Sequence, residues 1–104
     1  MDKILDSSLR QALKKQAHHL KPIVQSGAAG ISDAVIAEID RALQDHELVK
    51  IKLASDDRHA FNNEVTQVCA TLEATCVQRI GRTATIYRQH PDVDKRRDFL
   101  STQR

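Results

Sequence analysis

Apolar residues recur along this chain with two spacings, and the alternation between them outlines the fold. Leu9, Ala12, Leu13, Gln16, Ala17 and Leu20 follow one face of a helix, with Arg10, Lys14 and Lys15 off the stripe. Asp6, Ser7 or Ser8 stands where a short side-chain oxygen caps the first unpaired N–H groups, and Pro22 stops the helix. Residues 21–25 then read as a short strand, Pro22 being tolerated because a first strand residue need not donate to a ladder. Ser32 caps a second helix whose stripe is Val35, Ile36, Ile39, Ala42 and Leu43, with Asp33 and Glu38 near the positive end of its dipole. Residues 47–53 alternate, with Val49, Ile51 and Leu53 on one face and Leu48, Lys50 and Lys52 on the other, so the strand is half-buried with a basic solvent side. Ser55, Asp56 and Asp57 offer caps for a third helix with Phe61, Val65, Val68 and Leu72 inward. Residues 75–80 and 83–88, separated by Gly81-Arg82, form a hairpin.

The predicted order is therefore α-β-α-β-α-β-β. Right-handed strand–helix–strand crossovers place the helices mostly on one face of a four-stranded mixed sheet, a two-layer α+β architecture. Residues 1–88 make the domain. Residues 89–104, charge-dense around His90-Pro91-Asp92-Val93-Asp94-Lys95-Arg96-Arg97-Asp98, are expected to be a flexible tail.

Composition narrows the functional classes. The 104 residues suit one domain, and only Phe61, Tyr87 and Phe99 are aromatic, so aliphatic side chains fill the core. The same scarcity argues against a nucleic-acid platform of stacked aromatic rings. Net charge is +2, but residues 1–31 carry +3, residues 32–73 carry −5 and residues 74–104 carry +4. A fold that joins the first and last thirds presents a basic face to polyanions. Cys69 and Cys76 read as reduced thiols, and neither a secretory leader nor an apolar run of membrane-spanning length is evident, so a cytoplasmic protein without membrane contact is expected. His18-His19 lack partners at metal-ligand spacing, His46 reads as a cap on the last carbonyls of the second helix, and Asp56-Asp57 read as helix caps. No nucleophile elbow, phosphate loop or zinc-protease signature is present. The expectation is a monomer that is not an enzyme, with no cofactor, no metal and no small-molecule substrate.

The candidate site is the loop Gly27-Ala28-Ala29-Gly30, which lies between a strand and a helix cap. Glycine permits positive φ and close backbone approach, and a helix start presents unpaired N–H groups, a combination suited to a phosphate oxygen. KH domains clamp a nucleic-acid backbone with a GXXG loop in this general way. By itself the pattern also fits a tight turn with no ligand. Lys21, Lys50, Lys52, Arg79, Arg82 and Arg88 sit on or beside strands, and Lys14 and Lys15 on the first helix extend the same candidate surface.

Three blocks then carry a resemblance. His19-Leu20-Lys21-Pro22-Ile23-Val24-Gln25-Ser26-Gly27-Ala28-Ala29-Gly30-Ile31-Ser32 resembles the opening of the CRM domain (chloroplast RNA splicing and ribosome maturation), above all its stand-alone bacterial YhbY-like form. Val35-Ile36-Ala37-Glu38-Ile39-Asp40-Arg41-Ala42-Leu43 with His46-Glu47-Leu48-Val49-Lys50-Ile51-Lys52, and Ile80-Gly81-Arg82-Thr83-Ala84-Thr85-Ile86-Tyr87-Arg88, are similar in order and spacing. The resemblance spans roughly residues 7–88. It implies a fold like the C-terminal domain of translation initiation factor 3, structured RNA as ligand, and association with ribosomal RNA of large-subunit (50S) precursors. Family loops often carry Lys or Arg between the glycines, whereas Ala28 and Ala29 stand here, so charge must come from neighbours. The alternative is a protein–protein adaptor docking on a ribosomal protein or assembly GTPase through Asp33, Asp40, Arg41 and Asp45.

Overall fold

The computed structural model describes residues 7–27 and 30–99. They form α1 (Ser7–Ala17), β1 (Val24–Gln25), α2 (Asp33–His46), β2 (Leu48–Lys52), α3 (Arg58–Leu72), β3 (Thr75–Ile80), β4 (Thr83–Tyr87) and a 3-10 turn at Val93–Lys95. The proposed Asp6 cap, Ala28, Ala29 and the tail beyond residue 99 lie outside the described residues. β1 is shorter than the strand expected over residues 21–25, because Pro22 has no N–H to give; the Ile23 N–H still reaches the Lys50 carbonyl at 3.0 Å.

The sheet order is β1-β2-β4-β3, with β1 parallel to β2 and β4 antiparallel to both its neighbours. The parallel pair needs a crossover, which α2 supplies, and α3 carries the chain from β2 past β4 to β3. Each crossover helix starts on a short oxygen-bearing side chain. Ser32 Oγ accepts the Val35 N–H at 3.2 Å, and Asp57 Oδ2 accepts the Ala60 N–H at 3.2 Å. Gly81, with φ of 58°, takes the first central position of the β3–β4 turn, where hairpins of the II′ class require glycine.

Alternation along β2 sorts the molecule into two apolar clusters. Val49, Ile51 and Leu53 meet Ile39 and Leu43 of α2 and Phe61, Val65 and Val68 of α3, forming the main core with Ala84 and Ile86. On the other face Leu48, Val77 and Tyr87 pack beneath Leu13 of α1, with Leu9, Leu20 and Phe99 at the margin. Two helices thus cover one face, as expected, and α1 covers one end of the other. Arg10 anchors α1 there, its Nη1 donating to the carbonyls of Cys76 at 3.4 Å and Val77 at 3.1 Å, where β3 shifts register against β4. Leu48 is therefore core, although Lys50 and Lys52 on its face are half-buried and exposed.

The chain after β4 does not leave the domain. Residues 89–99, the described part of the expected tail, fold back against Glu47, which is 2% exposed. The Glu47 carboxylate accepts the His90 N–H at 2.6 Å and the Arg97 N–H at 2.5 Å. The Glu47 carbonyl accepts the Arg88 N–H, and its own N–H caps α2 by bonding the Leu43 carbonyl. Capping thus falls to the Glu47 backbone and not to the His46 ring. Glu47 does this at φ of 63°, a left-handed conformation costing a non-glycine residue about 1–3 kcal/mol. Four hydrogen bonds over-determine it. The strap is completed by Arg96 Nε donating to the His90 carbonyl at 2.7 Å and by Phe99 standing edge-on to Tyr87, with ring centroids 5.9 Å apart.

Glu47→Ala is expected to lower the unfolding free energy by about 1.5–3 kcal/mol, the range for losing hydrogen bonds to a charged group. Amide exchange at His90 and Arg97 should accelerate far more than exchange in β4; equal acceleration would show that Glu47 does not act through the strap.

Burial, and next the charge of Glu47, raise the Tyr87 phenol above its ordinary value of 10.0. The folded state thus favours neutral Tyr87, so its contribution is intact below about pH 10 and is lost as pH rises from the unfolded value through the folded one. Tyr87 is the only tyrosine, so near-ultraviolet tyrosinate absorbance reads it directly. The native midpoint should lie above that of the urea-unfolded chain.

Candidate nucleic-acid interface

Three connections meet at one end of the sheet. They are the loop after β1, the segment after β2 and the β3–β4 turn. The Ser26 N–H bonds the Lys52 carbonyl at 3.0 Å, Ser26 Oγ accepts the Ala54 N–H at 2.9 Å, and the Leu53 N–H bonds the Arg82 carbonyl at 2.9 Å. The Gly30 N–H closes onto the Gly27 carbonyl at 2.9 Å, so the two glycines bridge the base of the candidate loop. Gly30 has φ of 79°, and a Cβ there would lie 3.5 Å from Glu64 Oε2, so glycine is needed for conformation. The loop leads directly into the Ser32 cap and the unpaired N–H groups of α2.

The electrostatics of this loop are mixed. Asp33 occupies the first turn of α2, and Glu64 of α3 reaches under Gly30 with its Oε1 buried and lacking a hydrogen-bond partner among the described residues. With alanines between the glycines, the loop carries no positive side chain of its own.

The predicted basic residues divide by sheet face. Lys52 and its cross-strand neighbours Gln25 and Thr83 share the face opposite the main core, with Ile80 beyond Thr83 and 61% exposed. Lys50 lies one step nearer α1 on that face, opposite Thr85. Lys14 and Lys15 are exposed in the last turn of α1, which packs over the same face. Lys21 precedes β1 and therefore sits near Lys50 at the end remote from the glycine loop, not beside it. This arrangement gathers Lys14, Lys15, Lys21, Lys50 and Lys52 on one side of the molecule.

Three arginines behave differently. Arg79 pairs with Ala84, a core residue, and so points to the α3 side, where Nη1 donates to Asn62 Oδ1 at 2.8 Å. Arg82 in the turn is ion-paired with Asp56, both largely exposed, so the pair holds it loosely. Arg88 is engaged within the fold: Nη1 bonds Asp40 Oδ1 at 2.8 Å and the Leu72 carbonyl at 3.1 Å, and Nη2 bonds the Asp40 carbonyl at 3.1 Å. Its side chain is 19% exposed, which removes it from the candidate surface. The same tether occupies Asp40, one of the acidic residues of the alternative adaptor face.

Sequence reasoning did not single out Arg97 and Phe99. With Lys21, Lys50 and Leu48 they line a cleft of about 170 Å³ between the end of α1, the β1 edge and the strap. The Glu47 bonds to the strap amides and the Phe99 contact with Tyr87 bring them there, and no local pattern encodes either. Among the described residues no group of three His, Cys, Asp or Glu side chains could hold a metal ion, and no helix is long and apolar enough to cross a membrane.

Arg88→Ala should cost about 1.5–3 kcal/mol of stability, since it leaves a half-buried carboxylate and two carbonyls without their donor. Lys52→Glu, on an open surface, should change stability by no more than about 0.5 kcal/mol. Urea unfolding of the two variants checks the division between tether and surface.

Comparison with known proteins bears on the family and the fold. Residues 5–88 match the family model of the CRS1 / YhbY (CRM) domain. A Pseudomonas aeruginosa protein named as a probable RNA-binding protein is 42% identical over 101 residues, covering 90% of this chain and 94% of that one. A Haemophilus influenzae RNA-binding protein is 39% identical over 84 residues, covering 81% and 85%. The solution structure of a hypothetical Staphylococcus aureus protein, to which RNA binding is ascribed, superposes with a TM-score of 0.76 at 26% identity, covering 90% of this chain and 98% of that one. The chain is a member of the CRS1/YhbY (CRM) domain family.

Proposed function

We propose that this protein binds structured RNA, with ribosomal RNA of a large-subunit precursor as its target and assembly of that subunit as its role. The observation that carries the RNA reading is the one sheet face that holds the half-buried Lys50 and the exposed Lys52, flanked by the lysines of α1 and continuous at one end with the glycine loop. Relatives named as RNA-binding proteins over nearly their whole length support it. The ribosomal part of the proposal rests on the family resemblance.

Recognition follows from what the face offers. It has five lysines, adjoins the glycine loop and the α2 start at one end of the sheet, and has no exposed ring on the sheet, so phosphates and helical shape carry more of the binding than base stacking does. The loop's alanines and the nearby Asp33 and Glu64 carboxylates leave it the role of orienting one phosphate at close backbone approach. The lysines supply attraction over the rest of the strand.

Charge reversal tests this. Lys50→Glu with Lys52→Glu should weaken binding to ribosomal RNA fragments at least about tenfold and flatten the dependence of log Kd on log salt by roughly 1.5, near 0.7–0.9 per lost phosphate contact. Arg88→Ala should leave both unchanged at temperatures where it is folded. Binding of the double variant at wild-type strength overturns the surface. For the assembly role, tagged protein from growing cells, crosslinked before lysis, should sediment with large-subunit precursors on a sucrose gradient; migration only at the top overturns that role.

A further inference from the structure

The cleft beside α1 has a composition that the phosphate-binding face does not explain. Its apolar lining is Leu20, Ile23, Leu48, Val49 and Phe99, and its charged lining is Lys21, Lys50 and Arg97. No Asp or Glu is among its described lining residues; the nearby Glu47 carboxylate is buried behind it and aimed at the strap amides. Gln16 and His46 add polar groups at the sides. An occupant must therefore present a flat apolar body together with negative charge at its edge.

Size restricts the occupant further. About 170 Å³ is well below the roughly 300–1,000 Å³ of clefts that take drug-sized ligands, so the recess suits a single ring system. Ile23 is 50% exposed, leaving the cleft open toward the β1 edge. Ile23 lies four residues from Gly27, roughly 13 Å along extended chain. A strand held at the glycine loop thus runs along β1, over Lys52 and Lys50, to reach it.

We propose that this cleft takes a single unstacked RNA nucleotide, with its base between Leu20, Ile23, Leu48 and Phe99 and its flanking phosphates on Lys21, Lys50 and Arg97. The inference rests on the RNA-binding reading and adds to it a point of single-strand recognition. Splayed-out bases are how proteins read RNA beyond its shape, and a pocket with an aromatic wall is suited to one. Two of the seven residues come from the strap, so Glu47, which fixes the strap through the His90 and Arg97 amides, is a positioning residue for this pocket.

Two measurements on the full chain test it. In the first, 5′-AMP, CMP, GMP and UMP are titrated while NMR follows the protein. Signals of Ile23, Leu48, Lys50 and Phe99 should move with nucleotide and not with inorganic phosphate alone. In the second, a ribosomal stem-loop carries 2-aminopurine at successive loop positions. One position should change fluorescence on binding, and Ile23→Ala or Phe99→Ala should abolish that change and weaken binding about tenfold without altering the salt slope, as expected for losing one base contact. Ile23 is half-exposed and Phe99 lies at the end of the strap, so neither variant removes the main core.

The outcomes separate the two claims. A stem-loop bound equally by wild type and both variants, with no nucleotide effect on the walls, overturns the pocket and leaves the RNA reading standing. Nucleotides that move the walls in a protein that binds no stem-loop support the pocket and overturn structured RNA as the target. Phosphate reproducing the whole nucleotide effect reduces the cleft to an anion site and overturns the proposal, as does an acidic peptide that moves these signals when nucleotides do not.

Discussion

A buried carboxylate is tolerated only where hydrogen bonds replace the water it has lost, and the arrangement around Glu47 follows from that requirement. Its position between α2 and β2 forces a left-handed turn with a side chain attached, and the turn directs the carboxylate inward. Backbone N–H groups of His90 and Arg97 satisfy it, which pins a polar segment that has little apolar surface of its own. The Glu47 carbonyl at the same time continues the ladder to Arg88 past the end of β4. One residue thereby joins a helix end, a central strand and the returning chain.

The two faces of the sheet differ as a consequence. The α2/α3 face is closed by aliphatic packing around Phe61 and needs nothing from the strap. The opposite face has a small cluster at one end, where Leu13, Leu48, Val77 and Tyr87 pack, and the Phe99 ring finishes its margin. Thr85, across from the half-buried Lys50, is still covered, and the face opens toward the glycine-loop end, where Lys52 is exposed. The partial cover by α1 and the strap creates both the exposed basic sheet and the recess between them. A third complete layer would have buried the lysines, and without cover Leu48 and Tyr87 would lie in water.

Charge is handled in the same divided way. Arg10 and Arg88 bond main-chain carbonyls or Asp40 inside the fold, while the five lysines are left at the surface. The planar, multi-donor guanidinium suits tethering, and the compact ammonium on a flexible stem suits a mobile phosphate contact. Counting Lys and Arg together, as a net charge does, hides this division.

Much was legible in the sequence because periodicity and capping are local. The stripes in α2 and α3, the Ser32 and Asp57 caps, the alternation of β2 and the Gly81-Arg82 turn each depend on residues a few positions apart, and all seven helices and strands stand in the order they predict. The position of glycine loop, Lys50 and Lys52 along the chain was legible for the same reason. What the sequence could not carry was which partner a charged side chain takes when that partner is distant. Arg88 and Asp40 are 48 positions apart, and Arg97 and Glu47 are 50 apart, so nothing local distinguishes a tether from a solvated charge. The same limit hid the cover over Leu48, the separation of Lys21 from the glycine loop and the docking of residues 89–99. The sequence by itself determined the elements and the chemistry they carry, since those follow from neighbouring residues. Only the tertiary structure decided which charges remain free and where a cleft opens, because desolvation and hydrogen bonding between distant segments set both.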